Sequence, residues 1–427
     1  MSKILWKILY YYFVSPLIIL TAHIACVFSK TIREGLLPRY RVFREISSCI
    51  DIIKNSSSVI IFHAASLGEF EHIKPLLKIL HTTQKSFNIV TFFSPSGYNN
   101  AEESEAMHLR LYIPFDLPSI WAKFYKLTTA KMIVIAKHDV WPAQVWQARK
   151  AGIPIYLINA SLAKHSTRTR WYIKSFLKHV YRDITQICAI SAEDQHRFSE
   201  HYPQCPVSLI GDTKYDQVVL RKEEALKKEF FSAGWKKKKW ILVAGSVWPE
   251  DTQHLFPAMK SLINKYSHLL VIIVPHQPHL REIERIENEF STWKTCRYSN
   301  RDKLTDQRVL IVDSVGLLAA LYSNAHVAYV GGSFKQGVHN VMEPAIYGIP
   351  VIYGPVHTNS YEAIKLNQEG GGITIYATDE FEKQLQIFIR DEKTRILTGE
   401  KAEKFAIKNT GATKKLLELW KSILEKP

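Results

Sequence analysis

The residues with the clearest chemical potential lie where apolar runs break off. The run ending near Phe62 is followed by HAASLGEFE at 63–71. Small residues there end a strand and open a helix. Such a turn leaves backbone amides free and favours an approaching anion. Glu69 falls in the first helical turn. A carboxylate at that place can take a proton from a hydroxyl as general base, or it can simply complement the helix macrodipole. A second break gives AKHDVWP at 136–142. Asp139 is there either a second acid or the cap of a helix that Pro142 starts. A third gives GDTKYD at 211–216, where Lys214 can reach a phosphate or carboxylate, or be an ordinary surface lysine.

The second half repeats the theme. Gly245-Ser246 and Gly331-Gly332-Ser333 end apolar runs with small residues suited to a phosphate, and Pro275-His276 ends a third. GVHNVMEP follows at 337–344. Its Glu343 sits near a helix start after a glycine turn, as do acidic groups that hydrogen-bond a ribose in dinucleotide sites. One such turn says little; several on one sheet edge say more.

These turns need a scaffold that gathers strand ends on one edge. Apolar runs predict strands at 58–62, 88–93, 132–136, 153–158, 184–190 and 207–210, with helices at 70–80, 141–150, 169–180 and 192–201. Buried strands alternating with helices predict a parallel sheet of Rossmann type. The pattern pauses over 221–239, where KKKK at 236–239 reads as a solvated linker. It resumes with strands at 240–244, 269–274, 309–312, 327–330 and 350–353 and helices at 253–265, 281–290, 316–322 and 361–368. The expected class is α/β, with two Rossmann-like domains around a cleft. The helix at 413–424 is placed to pack back across the linker.

A chain of 427 residues is long enough for two domains. Its 46% apolar and 22% charged residues exclude extensive disorder. The formal net charge of +16 calls for anionic partners: nucleic acid, phosphorylated small molecules or an anionic membrane. The basic residues are dispersed and form no nucleic-acid module, so nucleic acid is not expected. Five cysteines, without a CxxC pair, suit neither a disulfide framework nor a zinc site and fit a reducing compartment. From Ile8 to Phe28 no charged residue occurs, close to the roughly 20 residues of a bilayer span. Lys30, Arg33, Arg39, Arg41 and Arg44 follow it, and only Lys3 and Lys7 precede it. The positive-inside rule then places the rest of the chain in the cytoplasm, with Tyr10, Tyr11 and Tyr12 as an interfacial belt. A span is the first expectation; a helix lying in the interface and a cleaved leader are its alternatives.

Seven segments in order carry a family resemblance: HAASLGEFE, FFSPSGY at 92–98, HDVWP at 138–142, NASLAKHS at 159–166, GDTKYD, DSVGLL at 313–318, and VGGSFKQGVHNVMEPAIYGIPVIYGP at 330–355. Together they resemble the 3-deoxy-D-manno-octulosonic acid (Kdo) transferases of lipid A biosynthesis, from the N-terminal apolar segment to about Glu362. The resemblance implies a GT-B fold with residues 1–30 as membrane anchor, 31–220 as acceptor domain and 221–427 as CMP-sugar domain. It implies CMP-Kdo as donor and a lipid A precursor, lipid IVA, as acceptor. The reaction would invert the anomeric centre at the cytoplasmic face of the cell inner membrane, among membrane lipids and with no obligate protein partner. No metal or other cofactor is implied, and the chain has neither a D-x-D nor an H-E-x-x-H segment.

The base of that family is the Glu of its SxGE turn, here Glu69. Its second acidic position falls on Asp139 and its lysine on Lys214. CMP contacts carry over to Pro275, His276, Val315, Gly316, Leu317, Asn340, Val341, Met342 and Glu343. Amides near Gly316 would hold the phosphate and Glu343 the ribose. Many members have ETELWPN where this chain has AKHDVWPA, Pro-Arg where His276 stands, and a Glu at the position of Leu317. At His276 a fixed positive charge thereby becomes a titratable one. Two other readings stand beside this one: a GT-B enzyme using a UDP-sugar, such as a lipid A disaccharide synthase or an epimerase, and an inactive membrane-bound protein that binds nucleotide or lipid.

Overall fold

Runs rich in Val, Ile, Leu and Phe become strands buried on both faces, as a parallel sheet covered by helices requires. The structure is a computed structural model that describes residues 2–227, 229–231 and 239–425. Of the lysine run at 236–239, all but Lys239 lies outside the described residues. The chain divides into two compact units, Met1–Gln217 with Thr410–Pro427, and Val218–Asn409.

In the first unit, β1 (Val59–Ala64), β2 (Phe87–Phe92), β3 (Leu109–Tyr112), β4 (Met132–Ala136), β5 (Ile155–Ala160), β6 (Gln186–Ala189) and β7 (Val207–Leu209) form one sheet in the order β3-β2-β1-β4-β5-β6-β7. Every pairing is parallel. The order reverses between β1 and β4, which pair from Ile60–Met132 to His63–Ile135. At such a reversal the following connections leave to opposite faces and open a crevice at the strand carboxyl ends.

The second unit repeats the plan with β8 (Trp240–Val247), β9 (Leu269–Pro275), β10 (Thr295–Arg297), β11 (Val309–Ile311), β12 (Val327–Val330), β13 (Val351–Tyr353) and β14 (Gly372–Thr374). Their order is β10-β11-β9-β8-β12-β13-β14, again all parallel, with the reversal between β8 and β12. The strands that the sequence pattern missed, β3, β10 and β14, lie at sheet edges and are short. An edge position tolerates polar residues and glycine, so LRLY, TCR and GIT carry no continuous apolar run.

The C-terminal helix Ala412–Leu424 belongs to the first unit. Ala412, Leu416 and Trp420 join the core formed by Ile60, Phe62, Val134 and Ile158, and the Trp420 ring lies 5.5 Å from Tyr156. Gly411 precedes it at φ +99°, a conformation that suits glycine. The Asp216 carboxylate accepts hydrogen bonds from Gly411 N and Thr413 N, both at 2.6 Å, and so satisfies the first amides of the helix.

At the other end, Lys3–Leu9, a π-helical turn at Tyr10–Val14 and Ser15–Phe28 make one helical run. It is long and apolar enough, by length and composition, to cross a membrane. One side of it is docked on the first unit. Lys3 Nζ donates to Asp183 Oδ1 at 2.8 Å. Trp6 and Tyr10 pack on Phe176 at 5.2 and 5.6 Å. Tyr10 Oη donates to Asp116 Oδ2 and Ser15 Oγ to Asp116 O, both at 2.7 Å. Tyr10 is therefore buried instead of forming a surface belt with its neighbours, and of the three tyrosines only Tyr12 is fully exposed. On the other side Phe13, Leu17, Leu20, Val27 and Phe28 are bare.

The packing of the C-terminal helix is directly testable. Trp420→Ala removes a fully buried indole from the first unit, and this is expected to lower that unit's unfolding free energy by about 3–5 kcal/mol. Denaturant unfolding of the purified protein in detergent measures it; an unchanged midpoint would mean the helix is not part of that core.

Candidate active site

Two of the first unit's candidate residues, Glu69 and Asp139, follow the strands of the β1/β4 reversal. Ser66 caps the helix Leu67–Gln84, its Oγ accepting from Glu69 N at 3.4 Å. Glu69 is buried, and its Oε2 turns back to accept from Ala65 N at 2.6 Å. Among the described residues Oε1 makes no hydrogen bond. One carboxylate oxygen is thus pinned by the turn and the other is unengaged, which suits a base that must be aimed.

Asp139 follows β4. His63 Nε2–H donates to its Oδ2 at 2.8 Å, and Trp141 Nε1–H donates to the same oxygen at 3.1 Å. His63 is fully buried, with Nδ1 2.9 Å from Thr91 Oγ1. Burial alone would raise the Asp139 pKa. The hydrogen bond and charge of His63, with the Trp141 bond and the His138 charge, outweigh it and hold the carboxyl below its usual value. The capping role that the sequence allowed for Asp139 belongs to another residue. In the helix Pro142–Lys150, the amides of Ala143 and Gln144 donate to the Asp116 carboxylate, each at 3.0 Å.

Lys214 follows β7 in the first turn of the helix Lys214–Ala225. Its Nζ lies 3.6 Å from Asp212 Oδ2, and its amide donates to Asp212 Oδ1 at 2.9 Å. Asp212 also faces His72 Nδ1 at 3.4 Å, one turn beyond Glu69. Burial opposes the ionised form of Asp212, but His72 and Lys214 more than compensate and keep its pKa low. Thr213 Oγ1 donates to His72 O at 2.5 Å. Asn159, at φ +52°, accepts from Thr213 N at 3.1 Å and faces Thr213 Oγ1 at 2.7 Å. The GDTK turn is therefore tied to the helix that carries Glu69.

Sequence reasoning singled out Glu69, Asp139 and Lys214 but missed the residues that hold them: His63, His72, Asn159 and Asp116. The signal was present in part. His63 and Asn159 are lone polar residues near the ends of otherwise apolar strands, VIIFHA and IYLINA.

In the second unit, Pro275 ends β9, and His276 N donates to Val247 O at 2.9 Å. The His276 ring stacks on Trp248 at 4.2 Å and on His339 at 4.7 Å. Trp248 Nε1 donates to His339 Nε2 at 2.9 Å, so that nitrogen carries no proton. Burial pulls both histidines below the usual imidazole pKa, and for His339 the neighbouring His276 adds to it. The titratable group that the sequence places at His276 is therefore shifted by burial toward its neutral form.

Asn340 Oδ1 accepts from Met342 N at 3.1 Å, and its Nδ2 donates to Glu343 Oε1 at 3.3 Å. Arg221 also donates to Glu343 Oε1, at 2.6 Å. Val341 and Met342 are buried beneath this turn. The stack brings Pro275–His276 beside the 339–343 segment. Val315, Gly316 and Leu317 form a separate turn, with Val315 bare and Gly316 at φ +83° with no atom near a built Cβ. Asp251 organises the β8/β12 reversal, a role the sequence reading did not assign. Its Oδ2 accepts from Trp248 N and Gly332 N, both at 2.8 Å, and its Oδ1 from Tyr329 Oη at 2.9 Å.

Two all-parallel Rossmann-like sheets define the GT-B class of fold. Solved structures agree with that architecture. A UDP-GlcNAc 2-epimerase from Neisseria meningitidis matches with a TM-score of 0.61 over 85% of this chain and 100% of its own, at 13% identity. A glycosyltransferase from Rickettsia africae matches with a TM-score of 0.53 over 87% and 100%, at 12% identity. The sequence gives a more specific similarity. A sequence model of the 3-deoxy-D-manno-octulosonic-acid transferases (kdotransferase) matches residues 38–217. The 3-deoxy-D-manno-octulosonic acid transferase of Haemophilus influenzae is 27% identical over 422 residues, 96% of either chain. That of Aquifex aeolicus is 28% identical over 359 residues, 81% of this chain and 92% of its own. Over nearly its whole length the chain is thus similar to the Kdo transferases, which are glycosyltransferases.

The Asp139 contacts predict a pH dependence of stability. An unfolded aspartate titrates near about 3.9, and the folded value lies lower. The stabilisation is therefore complete above the unfolded pKa and is lost as pH falls through the folded one. Asp139→Asn is expected to cost on the order of 1 kcal/mol at pH 5. The gap to wild type should narrow as pH falls below about 3.9 and through the lower folded value. Paired unfolding curves check this; a gap that widens on acidification would contradict the assignment.

Proposed function

We propose that the protein transfers Kdo from CMP-Kdo to a phosphorylated lipid A precursor such as lipid IVA, in lipopolysaccharide synthesis, with inversion at the anomeric carbon. The observation that carries the reading is the seat of Glu69: one oxygen pinned to the Ala65 amide, the other unengaged, at the strand-order reversal. In the proposed step the acceptor hydroxyl oxygen attacks the anomeric carbon. Its proton passes to Glu69 Oε1, and the bond to the CMP phosphate breaks with its electron pair leaving on the phosphate. Lys214 and the polar turn at Asp139 favour the charges that develop. The second unit is the donor module in this reading. Pro275, His276, Val315–Leu317 and Asn340–Glu343 contact CMP, with backbone near Gly316 on the phosphate and Glu343 on the ribose. No metal or other cofactor enters the step.

The same reading gives the N-terminal run its purpose. Its inner side is held by Asp116, Asp183 and Phe176, and its outer side is bare and apolar. A helix so docked fits one lying in the membrane interface better than one crossing it, because the contacts through Lys3, Trp6 and Tyr10 keep its first half against the first unit. The basic residues from Lys30 to Arg44 favour the anionic headgroups of the cytoplasmic face of the inner membrane.

Membranes containing the full chain, given CMP-Kdo and tetraacyl lipid A precursor, are expected to release CMP and to add Kdo mass to the lipid. Glu69→Gln should lower kcat by about 10²- to 10⁴-fold with CMP affinity unchanged. Wild-type turnover in that variant would remove Glu69 as the base, and turnover with a UDP-sugar in place of CMP-Kdo would sink the donor assignment.

A further inference from the structure

An apolar hollow of the first unit lies against the N-terminal helix and the turns that carry Asp139 and Glu69. It has a volume of about 350 Å³. Ile18, Ile19 and Ala22 form one wall, Leu36 and Phe115 another, and Trp141 the end nearest Asp139. Protein interiors are close-packed and rarely leave apolar space of this size, and ligand pockets run from about 300 Å³ upward. The space is therefore of a size for one flexible apolar chain.

Arg39 and Asp116 both line it, and the Asp116 carboxylate is already taken up by Tyr10, Trp121 and the amides of Ala143 and Gln144. The Arg39 guanidinium lies there, stacked 4.8 Å over Phe93, with its donors on the carbonyls of Gly35 and Phe93 at 3.0 and 3.3 Å. Among the described residues it has no carboxylate partner within ion-pair distance. A guanidinium so placed fits a phosphate or carboxylate well. Burial draws its pKa down to about 10, which leaves it charged at neutral pH, and the Asp139 charge counters that fall. An apolar pocket lined by a guanidinium without a carboxylate partner, its one carboxylate already hydrogen-bonded, has the chemistry of a site for an anionic acyl lipid.

The walls connect this pocket to the site. Trp141 donates to Asp139 Oδ2 and stacks on Phe93 at 5.5 Å. Ser94, also in the lining, donates its amide to Ala65 O in the Glu69 turn. On the opposite side the helix wall continues into the bare face of Leu17 and Leu20, so a chain can pass from a membrane to the pocket along apolar surface.

We propose that this pocket receives one acyl chain of the acceptor lipid, while Arg39 holds an anionic group of its head beside the Glu69–Asp139 edge. This rests on the acceptor reading above. The test uses the full chain in phosphatidylcholine nanodiscs and a tetraacyl lipid A precursor with a diazirine at the end of one acyl chain. Photolysis followed by peptide mapping is expected to label Ile18, Ile19, Ala22 or Phe115. Ala22→Trp should abolish that labelling, with Ala22→Leu reducing it in a milder form. Arg39→Gln should weaken it by about 10-fold or more, as loss of a charged hydrogen bond implies. Excess unlabelled precursor should compete, and the same concentration of phosphatidylglycerol should not. Labelling confined to Leu17, Leu20 and Phe28, or equal competition by phosphatidylglycerol, would overturn the proposal. The label needs no sugar donor. Pocket labelling without turnover would therefore reject the transfer reaction and keep the lipid site, and turnover without pocket labelling would do the reverse.

Discussion

A parallel sheet that grows outward in both directions from one pair of strands cannot cover the gap above that pair. In the first unit the pair is β1 and β4, held in register from Ile60 to His63. The two connections leave to opposite faces, and whatever follows each strand faces the crevice. Glu69 follows one and Asp139 the other. Their placement is a consequence of strand order, and β8 and β12 impose the same geometry on the glycine turns of the second unit.

Strand order brings these turns near one another but does not fix their shape. Buried carboxylates do that. Asp116 gathers Tyr10, Trp121 and two helix amides. Asp212 holds the Lys214 amide and faces His72, and Asp251 ties the β8 turn to the β12 turn. Burying a carboxylate is unfavourable unless its oxygens are hydrogen-bonded, and each of these is. For Asp116 and Asp251 burial still prevails and the pKa rises, whereas the charges of His72 and Lys214 keep that of Asp212 low. Each of these carboxylates thus sets a turn's geometry.

The central strands were legible in the sequence because burial on both faces writes a continuous apolar run, as in MIVIA and VAYV. Edge strands lack that run, and the helices Pro118–Thr128, Thr378–Arg390 and Glu392–Lys408 were passed over. In the site, the carboxylates and the lysine were visible because they interrupt small-residue turns. Their partners were not, because a pairing such as His63 with Asp139 spans 76 positions and is set by the sheet alone. The inner contacts of the N-terminal run were equally hidden. Tyr10 has the composition of a membrane-surface residue, and only the fold reveals that Asp116 claims its hydroxyl.

His276 shows how a local packing choice alters the electrostatics of the second unit. A cation at this position would have to sit against Trp248 and His339 without a carboxylate, in a place where burial already disfavours charge. Protonating His339 instead would break its bond from Trp248, since Nε2 is the acceptor. Both rings are therefore biased toward the neutral form, and together with the indole they present a stacked aromatic surface. Such a surface offers stacking and single hydrogen bonds in place of an ion pair. In the donor reading proposed above, anion contact then falls to backbone amides, and the turn at Gly316, at φ +83° with open space beside it, is where that reading puts them. On that reading the stack and the open glycine turn divide the work: the stack offers apolar contact for a ring, and the turn receives the negative group without a charged histidine.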